Sequence, residues 1–164
     1  MTGQQTSTRQ SAIWGLLGFF AVSFIVSGLG GLLTASSIQD WYPGLVKPAF
    51  NPPNWIFGPV WSLLYLMMAV AAWRVWRTAG WRGARLALTL YFIQLALNLG
   101  WSALFFGMRQ PAWALADCVV LLLLIIATGL RFSRHDRVAG MLFLPYAAWV
   151  AFAALLNGAI VALN

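Results

Sequence analysis

The segment 13-IWGLLGFFAVSFIVSGLGGLLTA-35 decides the fold, because it runs for 23 residues without a charged side chain. A helix that crosses the hydrocarbon core of a bilayer needs about 20 apolar residues, whereas extended chain would leave its backbone groups unpaired in lipid. We therefore predict a membrane-spanning helix here. The segment is longer than the apolar core of a secretory signal, roughly 7–15 residues, so we assign it to the mature protein.

Four further apolar stretches of comparable length follow, and we predict spanning helices at 58–76, 86–106, 111–130 and 138–163. The composition agrees, since 8% of the 164 residues are charged, against roughly 25% in a soluble domain. We predict an all-α integral membrane protein with a single domain of five transmembrane helices, residues 13–164. A polar, disordered tail, residues 1–12, precedes it. The sequence shows no internal repeat, which argues against an inverted-repeat transporter.

The connection between the first two helices, residues 36–57, is long and rich in proline and tryptophan. Its four prolines forbid a regular helix. A loop of this length in a compact protein is usually a lid or a binding loop. We predict a lid over one end of the bundle.

The basic residues indicate the orientation, because cytoplasmic connections of membrane proteins are enriched in Lys and Arg. Only Lys47 and Arg109 lie on the side of the lid loop. The other eight fall on the opposite side: Arg9, Arg74, Arg77, Arg82, Arg85, Arg131, Arg134 and Arg137. We predict a cytoplasmic N-terminus if the membrane is a bacterial inner membrane. The net charge of +7 is thus explained by topology, and we expect no nucleic-acid partner.

Conventional catalysis and metal binding find little support in the sequence. His135 and Cys118 are each the only residue of their kind, and three acidic residues lie in three separate segments. We therefore predict no metal site and no nucleophile–base pair. Asp117, inside the fourth helix, is costly in lipid. It is either a ligand or proton site or, as we favour, a polar tie between helices.

Two residue patterns allow two interpretations each. Five of the ten tryptophans fall at predicted helix ends, as in an interfacial belt: Trp14, Trp73, Trp76, Trp81 and Trp113. The other five suit either ordinary packing or a flat, conjugated ligand: Trp41, Trp55, Trp61, Trp101 and Trp149. Small residues recur every four positions, which favours tight packing within the bundle over a dimer contact: Ser23, Ser27 and Gly31; Ala96 and Gly100; Ala147 and Ala151; Ala154 and Gly158.

The lid loop reads WYPGLVKPAFNPP at 41–53 and WIFGPVW at 55–61, with Tyr65 four residues later. Further motifs follow in order: QLALN at 94–98 with Trp101, FFG at 105–107, Ala114-Leu115 with Asp117, PYAAW at 145–149 and Leu156-Asn157. Together they resemble the TspO / translocator-protein (tryptophan-rich sensory protein, peripheral benzodiazepine receptor) family. The resemblance extends from Trp41 to Asn157 and implies five helices.

The resemblance also implies a function, because the family is known for binding protoporphyrin and related tetrapyrroles. We expect a receptor or sensor that binds a porphyrin in a pocket under the loop and that functions as a homodimer. The alternatives are a light-dependent porphyrin-degrading enzyme, with Trp61 and Trp149 as photochemical candidates, or a transporter of porphyrins or sterols. No cofactor is required beyond the porphyrin as ligand. The implied pocket residues are Trp41, Phe57, Trp61, Tyr65, Asn98, Trp101, Trp149, Ala153 and Asn157.

Within that pocket, the resemblance implies particular roles. Asn98 and Asn157 offer hydrogen bonds, and Ala153 is a small position where bulk alters binding. Independently of the resemblance, Lys47 or Arg109 on the loop side either attracts propionates or extends to the lipid headgroups. Sterols or lipids are further candidate ligands, since animal members bind cholesterol and benzodiazepine-type drugs. The animal cholesterol motif is absent, however, because Gly158 and apolar residues follow Asn157. The same proposed cholesterol motif in reverse order is matched by Arg85, Tyr91 and Leu95, but such motifs are weak patterns. Ala49 and Phe50 stand where some bacterial relatives have tryptophan.

Overall fold

A computed structural model describes the backbone of residues 2–164 and the side chains of residues 10–164. All regular structure in this part of the chain is helical: α1 (Thr2–Asp40), α2 (Phe57–Gly83), α3 (Arg85–Ser102), α4 (Pro111–Ser133), α5 (Arg137–Met141) and α6 (Leu144–Leu163). Five segments are long and apolar enough to cross a membrane: Gln10–Asp40, Asn54–Gly83, Arg85–Gly107, Pro111–Ser133 and Arg137–Leu163. The predicted five-span, all-α membrane fold is confirmed.

The first helix is longer than the sequence suggested. It begins at Thr2 and ends at Asp40, so it includes most of the tail predicted to be disordered and the first five residues of the predicted lid loop. Met1 lies outside the described residues. Residues 36–40 contain no proline or glycine, and nothing interrupts the helix before Pro43. The remaining loop holds two short 3-10 turns, Tyr42–Gly44 and Asn54–Ile56.

Three local features shape the other spans. α2 continues past Trp76 to Gly83 and bends at Gly80, whose φ of 64° is a conformation that glycine adopts without strain. α3 ends in a π-helical segment, Ala103–Gly107. The fifth span, predicted as one helix, is divided into α5 and α6. Pro145 lies in the first turn of α6, where its missing N–H costs nothing, and its ring disfavours helix before it.

The bundle is packed tightly at the end where the arginines lie, here called the arginine end. The packing there places α1 directly against α2. A Cβ atom on Gly15 would lie 2.1 Å from the Trp76 ring, and the Trp73 indole N–H donates to the Ala12 carbonyl at 2.8 Å. Trp76 therefore takes part in helix packing, whereas Trp113 is 68% exposed. The interfacial belt to which both were assigned stays a prediction.

An ion pair closes the arginine end. The Arg74 guanidinium lies 2.8 Å from the Asp136 carboxylate, which also accepts a hydrogen bond from the Ala139 amide at 3.0 Å and so caps α5. Burial by itself raises the pKa of Asp136, but the bonds from Ala139 and Arg74 outweigh it and lower that pKa below its ordinary value. The pair joins α2 to the connection between α4 and α5.

Candidate functional site

The opposite end of the bundle, here called the loop end, contains a cavity of about 500 Å³. This volume lies within the range of small-molecule pockets, about 300–1,000 Å³. Its walls come from α1, α2, α3 and α6, and Tyr42, Asn54 and Trp55 of the loop contribute to the rim. Apolar and aromatic side chains form most of the lining.

Eight of the nine residues assigned by resemblance line this cavity: Phe57, Trp61, Tyr65, Asn98, Trp101, Trp149, Ala153 and Asn157. Trp41 does not. Because α1 continues to Asp40, Trp41 still has helical backbone angles, and its ring packs edge-on against Phe105 at a centroid distance of 5.5 Å.

The resemblance places the pocket among the first, second, third and fifth helices, but it assigned no residue of α1. Six of its residues line the cavity: Ser27, Gly30, Gly31, Thr34, Ala35 and Ile38. Their spacing of three and four residues defines one helix face. The recurrence of small residues at Ser27 and Gly31 was the available signal, and it was attributed to helix packing. Phe105 and Phe106, within the π-helical segment, are also part of the lining.

Asn98 is engaged at both ends of its amide group. Its Oδ1 accepts a hydrogen bond from the Tyr65 hydroxyl, and its Nδ2 donates to the Tyr146 hydroxyl at 3.0 Å. Tyr146 in turn donates to Gln94 Oε1 at 2.9 Å. This buried chain of polar groups links α2, α3 and α6. Its satisfied members stabilise the bundle, because an unpaired polar group in such a place is costly.

Asn157 is engaged in the same way. Its Oδ1 accepts from the Trp101 indole N–H at 3.1 Å, and its Nδ2 donates to the Pro111 carbonyl at 2.9 Å. A single amide thus joins α6 to α3 and to the start of α4. Both asparagines that were expected to offer hydrogen bonds to a ligand already have partners inside the bundle.

The indole N–H of Trp149 has no such partner. Among the described residues, three buried side-chain polar atoms make no hydrogen bond: Arg74 Nε, Asp117 Oδ2 and Trp149 Nε1. Of these three residues only Trp149 lines the cavity. Its ring is fixed by Phe57 and Phe152, at centroid distances of 5.8 Å and 5.5 Å.

The other tryptophan proposed for photochemistry lies in an aromatic cluster. The Trp61 ring is 5.9 Å from that of Tyr65 and 6.2 Å from that of Tyr146. Trp61 is half-buried and its ring meets the cavity. A flat ligand in the cavity therefore has aromatic faces from α2 and α6 available on its sides.

The loop above the cavity is tied down. Tyr42 is buried against Phe105 and Phe106, and its hydroxyl donates to Asn51 Oδ1 at 3.0 Å. Burial raises the pKa of this phenol. The backbone of Val46 exchanges two hydrogen bonds with the Asn164 side chain, at 3.0 Å and 3.1 Å.

The loop's lysine also bonds within the loop. Lys47 Nζ donates to the Leu45 carbonyl at 2.9 Å and the Pro43 carbonyl at 3.3 Å. It lies 4.7 Å from the centre of the Tyr42 ring, a favourable cation–π distance. The expectation that Lys47 attracts a ligand's propionates therefore competes with bonds that the lysine already makes.

Asp117 stands apart from the cavity. It lies between α4 and α3, where its Oδ1 is 3.4 Å from the position of a Cβ atom on Gly100. Its Oδ2 has no partner among the described residues, so the polar tie that we favoured is not formed there. The described residues also contain no group of three or more side chains suited to a metal ion.

Five spans, four of which surround an aromatic cavity under a proline-rich loop, define a multi-pass membrane protein with an internal pocket at one end. The chain belongs to the TspO/MBR family, whose model matches residues 19–163. It is 41% identical to the tryptophan-rich protein TspO of Archaeoglobus fulgidus over 149 residues, covering 91% of this chain and 94% of the relative.

Two further relatives show the breadth of the family. The tryptophan-rich sensory protein of Cereibacter sphaeroides is 41% identical over 152 residues, which cover 92% of both chains. The translocator protein of Sus scrofa is 41% identical over 144 residues, which cover 84% of this chain and 85% of the relative. The chain thus matches bacterial, archaeal and animal relatives over nearly their full length.

Proposed function

We propose that this chain is a membrane receptor or sensor that binds a porphyrin in the cavity at the loop end. The names of its relatives, sensory protein and translocator protein, agree with a membrane sensor or translocator. The porphyrin itself rests on the resemblance of the loop and helix motifs and on the chemistry of the cavity lining.

The observation that carries the proposal is the aromatic lining of the cavity, to which the rings of Phe57, Trp61 and Trp149 belong. The same lining includes a few polar side chains, Ser27, Ser102 and Asn54, that suit the propionates of a porphyrin. The rings of Trp61 and Phe57 supply the apolar faces that suit a flat macrocycle.

Titration with protoporphyrin in the dark, read by quenching of tryptophan fluorescence in nanodiscs, tests this proposal. We expect saturable binding. Trp149→Phe reduces the aromatic surface of the lining, and because an aromatic contact contributes about 0.5–1.5 kcal/mol, the dissociation constant rises by about two- to tenfold. Trp113→Phe is the matched control, because Trp113 faces outward. Absence of saturable quenching, or equal losses in both variants at equal thermal stability, contradicts the proposal.

Two additions separate the alternatives. Illumination of the bound complex, with loss of porphyrin absorbance and a new product, would indicate the degrading enzyme. Accumulation of porphyrin inside liposomes, beyond a binding-only control, would indicate a transporter. A panel of porphyrins, haem and sterols identifies the preferred ligand class.

The expected homodimer belongs to the same proposal. On α3, Ala96 is exposed and accessible to a second copy, whereas Gly100 faces Asp117 of α4. Mass measurement in nanodiscs, with Ala96→Leu as the variant, tests whether this face of α3 joins two chains.

A further inference from the structure

The exposure of the cavity lining is uneven around the bundle. The lining residues of α3 and α6 are all buried or half-buried. The exposed ones lie on α1, on the start of α2 and on the turn before it: Gly31, Ala35, Asn54, Trp55, Gly58 and Ser62. The cavity therefore meets the outside along the seam between α1 and α2.

The glycines show that this seam is not a close helix contact. Small residues in membrane helices usually let two backbones approach, as Gly15 does against Trp76 at the arginine end. At the loop end, a Cβ atom on Gly31 or on Gly58 would meet no atom within 4 Å. The two helices are in contact at one end of the bundle and separated at the other.

At the loop end, α1 packs against α3 and the π-helical segment instead. A Cβ atom on Gly30 would lie 3.4 Å from the Ser102 hydroxyl oxygen, and the Ser37 hydroxyl donates to the Phe106 carbonyl at 2.6 Å. These contacts hold α1 on the side away from α2. The gap beside Gly31 and Gly58 is thus maintained by packing elsewhere.

By comparison with the seam, the route from water through the loop into the cavity is obstructed. The buried Tyr42 ring, its hydrogen bond to Asn51, and the paired bonds of Val46 with Asn164 hold the loop over the bundle. Opening that route requires several of these contacts to break, whereas the seam requires none.

We propose that the cavity receives its ligand laterally from the bilayer, through an opening between α1 and α2 bordered by Gly31, Ala35, Gly58 and Ser62. The ligand class is then an amphiphile that dissolves in lipid: a flat apolar body that contacts the aromatic lining and a polar end near Asn54. This inference rests on the proposed function, in that the cavity must bind a ligand.

Gly31→Leu and Gly58→Leu test the opening, because each places a large side chain at its border. Leucine is also a better helix former than glycine. By stopped-flow quenching with protoporphyrin in nanodiscs, we expect association to slow by about tenfold, or about 1.36 kcal/mol of barrier. Both glycines also line the cavity, so the dissociation constant is measured beside the rates, and slower association in both variants is the result that reports on the opening.

Gly28→Leu is the matched control. Gly28 is exposed on the same helix, its Cβ position meets no atom within 4 Å, and it does not line the cavity. We expect its rates to equal those of the original chain. Asn164→Ala is a second comparison, because it releases the loop without touching the seam.

The outcomes separate the two proposals. Saturable binding with unchanged rates in Gly31→Leu and Gly58→Leu would overturn lateral access and leave porphyrin binding standing. Faster association and dissociation in Asn164→Ala, without an effect at the seam, would assign access to the loop and also overturn it. Absence of saturable binding in the original chain would contradict the proposed function instead.

Discussion

Replacing Asn157 with Leu should reveal a structural amide and not a ligand contact. The amide accepts from Trp101 at 3.1 Å and donates to the Pro111 carbonyl at 2.9 Å. Asn157→Leu keeps the approximate volume and removes both bonds. Interhelical hydrogen bonds in membranes average about 0.6 kcal/mol each, so the expected loss of stability is about 1.2 kcal/mol. For a chain of this size, that corresponds to a fall in Tm of roughly 2–5 °C.

The assay is thermal unfolding beside porphyrin titration, with Trp101→Phe and the double variant completing a cycle. Trp101→Phe removes the indole donor of the same bond. Because the two residues are in contact, the double variant should lose less stability than the sum of the single losses. Porphyrin affinity should change little in Asn157→Leu at temperatures where the variant is folded. Additive losses, or an unchanged Tm with weakened porphyrin binding, would refute the assignment of this amide to helix packing.

Three further predictions concern the cavity wall, the ion pair and the topology. Ala153→Leu adds bulk to a lining position, and porphyrin affinity should fall by about 1–2 kcal/mol, the scale of overpacking; unchanged affinity in a folded variant would move the ligand elsewhere. The lowered pKa of Asp136 predicts that its contribution to stability is full above the ordinary value of 3.8 and is lost as the pH falls through the lowered one. Unfolding temperatures of the original chain and Asp136→Asn should therefore converge at low pH, and a gap that does not depend on pH would contradict this. Reporters fused at the two ends should give opposite signals, because five spans are an odd number, and the N-terminal reporter should lie on the arginine side; equal signals would exclude five crossings.

The membrane spans could be predicted because lipid leaves the backbone few choices. Long apolar runs separated by arginines or prolines become helices whatever their neighbours are. Their ends were harder to predict. α1 reaches Asp40 because no proline precedes Pro43. The fifth span divides before Pro145 because proline disfavours helix before it but is accepted in the first turn of the next helix.

The site was less predictable from the sequence than the membrane spans. Family motifs brought eight residues to the cavity, but no motif shows which polar groups bond to each other. The partners of Asn98 and Asn157 come from other helices, far away in the sequence, and so only the packed bundle reveals that both amides are engaged. The small residues Ser27 and Gly31 do mark the cavity face of α1, but the pattern allows two interpretations. Small residues permit a close contact or leave a gap, and the position of the neighbouring helix decides between them.

The polar groups that already bond within the bundle affect how strongly the cavity discriminates among ligands. A site that hydrogen-bonds its ligand at several points rejects analogues strongly, whereas an apolar site discriminates weakly. Here Asn98, Asn157 and Trp101 bond within the bundle, and few polar side chains of the lining remain for a ligand. Recognition then depends on flat shape, aromatic contact and few polar contacts. A cavity of this kind, open to lipid, should accept several flat amphiphiles with similar affinity, and partition into the bilayer would set which of them it meets.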